Sequence, residues 1–492
     1  MNDVTTVERN AMCSTRATFR HSTAPPGGPP GDLAARHGGH PPASSGRAAT
    51  DGATGRGTAA DAYDADRPEV LGHDEGRPDH ADVLGSGRGE GVGQRLDEVG
   101  TDPGVVDADV IAAVRAVLDR LLAARLARAR ELDALFAQDL AARVTDFTLR
   151  GGRRIRPRLL WWSLRACSGG TPAQVRAALH AGAAVELLQT CALVHDDLMD
   201  AATTRRGRPA LHTAVARQYG DIPRGAARRL GDAAAVLAGD LALAWADDVM
   251  TDLLLDGDDL PPEALARVRD IWRGTRTETI AGQYLDMQGQ ATGQPTPARA
   301  LRAACLKSAL YTVERPLALG AALAGADQEA TQALCRAGRC AGVAFQLRDD
   351  LDDLFADPGV TGKPSGGDVR EGKPTYLMAL ARARAAADGD PATLGVLDAS
   401  LGRADLTETG LDRVRDVLTT TGTRDLVQEK IERLRRQALR HLAAADPEPG
   451  PAATLRTLLT AITGTPGHAP EPAGDPPFPA AALGAGGAEA VR

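Results

Sequence analysis

The sequence predicts an all-α fold of ten or more helices, and three observations carry that prediction. Apolar residues recur at three- and four-residue steps from Asp107 to about residue 444, the spacing of one helix face. Ala and Leu dominate, β-branched runs are rare and no two-residue alternation persists, so strands find no support. Aromatic residues make up only 3% of the chain, which leaves Ala, Leu and Val to fill the core. No repeat of fixed period is evident, which argues against a solenoid.

Taken in order, residues 1–105 are dense in Gly, Pro, Ala, His, Asp and Arg. Stretches such as APPGGPPGD cannot bury enough apolar surface to offset the entropy of ordering a chain, so a disordered tail is expected. Asp107 opens DADVIAAVRAVLDRLLAARLARARELDALFAQDLAARV, where an aspartate near the start is a plausible helix cap. Helical patterning returns through 172–200, 232–255, 262–289, 298–325, 327–355, 375–387, 409–421 and 424–444. Residues 466–492 read like the N-terminal tail, leaving 106–465 as one folded domain. Three breaks stand out: GGRRIRP at 151–157 lies between two helices, RRGRPALH follows HDDLMD, and DPGVTGKPSGGDVREGKPT follows RDDLDD.

Charge and cysteine usage narrow the function classes. A net charge of −8, spread rather than blocked, gives no footprint for nucleic acid. The six cysteines show no metal spacing and read as free thiols of a reducing cytoplasm. There is no run of eighteen apolar residues and no apolar leader at the N-terminus, so no transmembrane segment is expected.

The two acidic knots are the chemical signal. Asp196 and Asp200 are four apart, one turn along one helix face, and Asp349 and Asp353 repeat that spacing. The residues before them, LLQTCALV and CAGVAFQL, are those of buried helices, where unpaired carboxylates are costly. Two facing DDxxD helices offer hard oxygen ligands to Mg²⁺, which takes one or two carboxylates and fills its octahedron with water and phosphate oxygens. Neither site has the loop of an EF-hand, and G-x-x-x-x-G-K-[ST] is absent from both basic loops. Arg153, Arg154, Arg156, Arg205, Arg206, Lys307, Lys363 and Lys373, at helix boundaries or beside small residues, are candidates for holding diphosphate. His195 precedes the first cluster by one residue, which turns it to another face, and it reads as a structural histidine.

Over most of residues 110–445 these motifs resemble the trans-polyprenyl diphosphate synthases: GGRRIRP, LLQTCALVHDDLMDAATTRRGRPALH, LAGDLALAWAD, GQYLDMQG, KSALYTVERP, AFQLRDDLDDLF and TGKPSGGDVREGKPT. The resemblance implies an antiparallel helix bundle around a deep central cavity, assembled as a homodimer. It implies that Asp196, Asp200 and Asp349 hold Mg²⁺, three ions per site, with Asp197, Asp350 and Asp353 completing the clusters. It places Arg205, Lys307, Ser308, Gln346, Lys363 and Lys373 on an allylic diphosphate, and Arg153, Arg156, Gln189 and Arg206 on isopentenyl diphosphate. Gln283 and Asp286 fall where the family keeps polar groups near the metals. Two positions depart mildly: lysine is commoner where Arg153 stands, and threonine where Ser308 stands.

The implied reaction is head-to-tail condensation of the two diphosphates to an all-trans prenyl diphosphate. The growing chain would run from the first DDxxD back along its helix, past Ala192 and Cys191 to Leu188. Small residues at 191 and 192 leave out the aromatic floor that stops the family at fifteen carbons, so a geranylgeranyl (twenty-carbon) product is expected, with twenty-five or more as the alternative. A class I terpene cyclase would usually carry an N-D-x-x-S-x-x-x-E-type second site where this chain has DDLDD. A non-catalytic partner subunit would be expected to lose aspartates or lysines that are all present here.

Overall fold

The computed structural model describes residues 101–464, apart from 258, 294, 295 and 359–364. Its described part is almost wholly helical, as the sequence predicts, with one small hairpin as the only sheet among the described residues. The bulk of both expected tails, and Lys363, lie outside the described residues. The first helical piece, Pro103–Ala108, begins inside the stretch assigned to the tail. Asp102 caps it by accepting from the Gly104 N–H, and Pro103 occupies its first turn.

Helix α1 (Val110–Leu132) is capped, as expected, by an aspartate near the start of the pattern, Asp109; the Asp107 carboxylate accepts from Trp161 and Arg165. The pattern that reads as one rod from Asp107 breaks at Asp133, where the backbone is extended and the carboxylate caps a new turn at Phe136. A π-wound turn (Ala137–Ala141) and α2 (Ala142–Leu149) follow.

Helices α3 (Ile155–Ala166) and α4 (Pro172–Met199) come next, the latter opened by a reciprocal Thr171–Gln174 capping box. Then come α5 (Leu211–Gln218), α6 (Arg224–Leu255) and α7 (Pro262–Thr292). The stretch 298–325, patterned as one helix, is three pieces: α8 (Pro297–Ala304), a π-wound segment (Cys305–Glu314) and α9 (Arg315–Ala324). Helix α10 (Gln328–Phe355) carries the second acidic knot and α11 (Gly367–Glu371) the loop after it. The remainder is α12 (Tyr376–Ala387), α13 (Pro391–Ser400), α14 (Glu408–Thr420), α15 (Thr423–Ala443) and α16 (Pro449–Thr463). Helices α5, α13 and α16 had no place in the sequence pattern.

Two Ala- and Leu-rich cores hold the bundle, one centred on α4 with α1 and α6, the other on α10 with α12 and α15. Helix α4 is long and apolar enough to cross a membrane by composition alone, yet 78% of that window is buried inside the fold. The five described cysteines are free. Among the close backbone approaches, a Cβ on Gly282 of α7 would lie 2.1 Å from the Lys307 backbone nitrogen, so only glycine lets α7 approach the π-wound segment.

Candidate active site

The first acidic knot ends α4, the dipole end that disfavours negative charge, so cations must offset it. Three side chains converge on Asp196: Lys307 Nζ at 3.0 Å, Gln283 Nε2 at 3.2 Å and Arg205 Nη2 at 3.3 Å. Burial works to raise its pKa, but Lys307 foremost, with Lys373 and Arg205, holds it below the usual carboxylate range. Asp197 is 1% exposed and accepts from Arg205 Nε at 2.7 Å. Asp200, the C-cap, lies 3.0 Å from Lys373 Nζ. For both, burial outweighs the cation and raises the pKa.

The second knot ends α10. Asp349 is exposed, while Asp350 is buried and accepts from Gln346 Nε2 at 2.9 Å. Burial, then the nearby Asp368 charge, pushes Asp350 well up. Asp353 accepts from the Gly367 and Asp368 N–H groups, both at 3.2 Å, so it anchors α11 as well as facing the site. Asp368, which sequence reading passed over, is pushed up to about 7 by burial and by the Asp353 charge.

Two lysines tie the first knot to aspartates of other helices. Lys307 Nζ sits 3.0 Å from Asp196 and 2.7 Å from Asp286 of α7, and Lys373 Nζ sits 3.0 Å from Asp200 and 3.6 Å from Asp368. Lys373 thus links the acidic end of α4 to α11, and Asp353 of α10 holds α11 by its backbone N–H groups, so the two acidic ends are connected through α11. Ser308, beside Lys307 in the π-wound segment, is half-buried.

The arginines divide into three roles. The chain after α4 turns through a hairpin, Thr204–Arg205 paired with Arg208–Pro209, whose two turn residues Arg206 and Gly207 have φ of 52° and 72°. Positive φ at both is the I′ geometry that matches strand twist. Arg205 reaches the aspartates, whereas Arg206 lies over the Phe147 ring and donates to the Arg150 carbonyl at 3.3 Å. Arg156 donates to Thr312 Oγ1 at 2.8 Å and stacks on Tyr311, whose hydroxyl donates to Gln189 Oε1 at 2.7 Å. Arg153 is exposed. Arg154 corrects the sequence reading: its guanidinium is buried, paired with Glu186 and bonded to the Thr148 and Leu149 carbonyls at 2.7 and 3.2 Å. With all its visible partners inside the fold it is a structural strut, turned inward by a left-handed backbone (φ 48°).

Along α4, Leu188 and Cys191 are buried and Ala192 half-buried. The Cys191 thiol, pushed up to about 12 by burial, stands 3.8 Å from His195 Nδ1. His195 bonds the Val236 carbonyl through Nε2 at 3.1 Å and fills the space over Gly239, as a structural histidine does. A groove of about 630 Å³ opens between α1, α4 and α6 near His180, sixteen residues up α4 from Asp196. That is about 24 Å of helix, so this groove lies apart from the acidic knots.

The donor set fits a hard divalent cation. Asp197 Oδ2 and Asp200 Oδ1 are buried and have no hydrogen-bond partner, leaving two carboxylate oxygens with lone pairs to give. Among the described residues no three carboxylate, histidine or cysteine side chains converge as a ready-made cage. An ion that takes part of its shell from phosphate needs none.

The polyprenyl synthetase family model matches residues 138–407, and the chain belongs to that family. A geranylgeranyl diphosphate synthase of Methanosarcina mazei is 33% identical over 229 residues, 46% of this chain and 63% of that protein. A geranylfarnesyl diphosphate synthase of Aeropyrum pernix is 33% identical over 231 residues, 47% and 66% respectively. The chain thus spans slightly under two thirds of these curated relatives' length. A geranylgeranyl pyrophosphate synthase of Corynebacterium glutamicum, solved with isoprenyl diphosphate and magnesium, is 37% identical, with a TM-score of 0.66 over 72% of this chain and 97% of that one.

Proposed function

We propose that the protein is a trans-prenyltransferase that condenses isopentenyl diphosphate with an allylic diphosphate, head to tail, to an all-trans prenyl diphosphate of twenty carbons. The observations that support this reading are Lys307 and Lys373 on the acidic end of α4, Lys373 also lying near Asp368 of α11, the helix that Asp353 of α10 holds, and a second group of Arg156 and Gln189 joined through Tyr311 with the Arg206 charge nearby. Asp196, Asp197 and Asp200 on one side, and Asp349, Asp350 and Asp353 on the other, would hold Mg²⁺, three ions per site. When bound, the metal supplies Lewis-acid stabilisation of the departing diphosphate. Lys307, Lys373 and Lys363, with Arg205, Ser308 and Gln346, bind and orient the allylic diphosphate and meet its developing charge. Gln283 and Asp286 fix Lys307 and Asp196 relative to each other. Arg153, Arg156, Gln189 and Arg206 hold the isopentenyl diphosphate with its double bond toward the allylic carbon. Leu188, Cys191 and Ala192 bound the cavity for the product tail.

The exposed apolar side chains Leu230 and Leu237 of α6, and Ile280 and Tyr284 of α7, support a homodimer that covers them. The folded domain of 106–465 is the catalytic unit in this reading. Incubating the purified chain with farnesyl diphosphate, isopentenyl diphosphate and Mg²⁺, and reading products by mass, tests class and length together. Twenty-carbon product is expected. Absence of diphosphate release by the chain alone would refute the assignment, and longer products would move the floor below Leu188.

A further inference from the structure

Two of the groups assigned to the isopentenyl diphosphate pocket are held by residues to which sequence alone assigns no role. Tyr311 is 3% exposed; its hydroxyl donates to Gln189 Oε1 at 2.7 Å and its ring centre lies 4.2 Å from the Arg156 guanidinium carbon. Its neighbour Thr312, also 3% exposed, accepts from Arg156 Nη2 at 2.8 Å through Oγ1. Both belong to the π-wound segment that presents Lys307 to the aspartates.

The winding explains how one segment serves both pockets. In a helix of 3.6 residues per turn the fifth neighbour of Lys307 would point about 140° away. With i→i+5 bonding, Thr312 returns toward the Lys307 face and Tyr311 stays beside it. Close backbone packing holds this segment: Gly282 lies against Lys307, and a Cβ on Gly342 of α10 would come within 2.5 Å of the Ala309 carbonyl oxygen.

The contacts also fix which atoms are left for a ligand. Tyr311 gives its one proton to the Gln189 carbonyl, so the Gln189 NH₂ remains as a donor. Burial raises the Tyr311 pKa, which keeps the hydroxyl protonated. Arg156 is held on its face and at one terminal nitrogen, while its Nε, buried and without a partner, keeps a donor to give.

We propose that Tyr311 and Thr312 are positioning residues for isopentenyl diphosphate, acting through Gln189 and Arg156. The inference rests on the synthase reading. Steady-state kinetics of the full chain, with each diphosphate varied in turn, test it. Tyr311→Phe keeps the ring and removes the hydroxyl, so KM for isopentenyl diphosphate should rise roughly three- to tenfold, the worth of one neutral hydrogen bond, with KM for farnesyl diphosphate unchanged. In a Gln189→Leu background the same change should add nothing, since its effect runs through that amide. Thr312→Val should likewise raise KM for isopentenyl diphosphate, and Thr312→Ser should restore it. Additive effects in the Gln189→Leu background, or equal rises in both KM values, would overturn the positioning role while the synthase reading stands. A wild-type chain that neither turns over nor binds isopentenyl diphosphate would overturn both.

Discussion

Replacing Arg154 by methionine would strand Glu186, a carboxylate 5% exposed whose partner is that guanidinium, and would remove the arginine's bond to the Leu149 carbonyl, while the Thr148 carbonyl keeps the Gly151 N–H at 3.1 Å. Breaking a buried pair from one side costs about 3–5 kcal/mol, because the remaining charge is neither solvated nor paired. With about 360 residues in the described fold and about 2.1 cal/mol/K of unfolding entropy per residue, the melting temperature should drop by about 4–7 °C. Removing both charges with Arg154→Met/Glu186→Leu should recover at least half of that loss. Thermal unfolding followed by calorimetry reads both variants, and kinetics of the double variant should show KM for isopentenyl diphosphate within about threefold of wild type. A double variant as unstable as the single one would show that the stranded carboxylate is not the cause. A large KM rise in a stable double variant would return Arg154 to the substrate pocket.

Asp196→Ala and Asp349→Ala should each reduce turnover by orders of magnitude, since in the proposed site each would remove a metal ligand acting mainly in the transition state; near-normal rates in product-release assays would contradict that site. Cys191→Phe should shorten the product seen by mass spectrometry, and an unchanged length would show that the cavity runs elsewhere. Asp352 is raised to about 6 by burial, with Arg348 opposing. A carboxylate whose folded pKa exceeds its unfolded one of 3.8 costs stability as pH rises between the two values. Asp352→Asn should therefore raise the metal-free melting temperature at pH 7.5 and leave it unchanged at pH 3; an equal gain at both would exclude the ionisation.

The acidic knots were legible because aspartates at the ends of apolar helices violate burial unless something compensates them, and that violation is written in the residue types. The all-α class was legible for a similar reason, a sustained three- and four-residue period. Arg154 was not. GGRRIRP offers three arginines, and only the backbone turn at Arg154 decides which of them points inward. The π-wound segment was equally hidden, because one extra residue in a turn barely disturbs an Ala- and Leu-rich period; glycines at 282 and 342 record it only once the facing backbones are known. Asp368 lay in a Gly/Pro-rich loop, where sequence gives no sign of burial. Helices α5 and α13 are short, and tertiary packing rather than pattern secures them, while α16 of 15 residues opens on a Pro/Gly-rich stretch that reads as a loop.

The reverse turn at Arg206-Gly207 sets stability against affinity at one position. A left-handed corner occupied by arginine is disfavoured by about 1–2 kcal/mol, and glycine would relax it. Relaxing it would also delete the positive charge lying over Phe147. Glycine in that corner would thus gain backbone ease at the loss of a charge that the proposed isopentenyl diphosphate pocket would use, so the two demands on position 206 oppose each other.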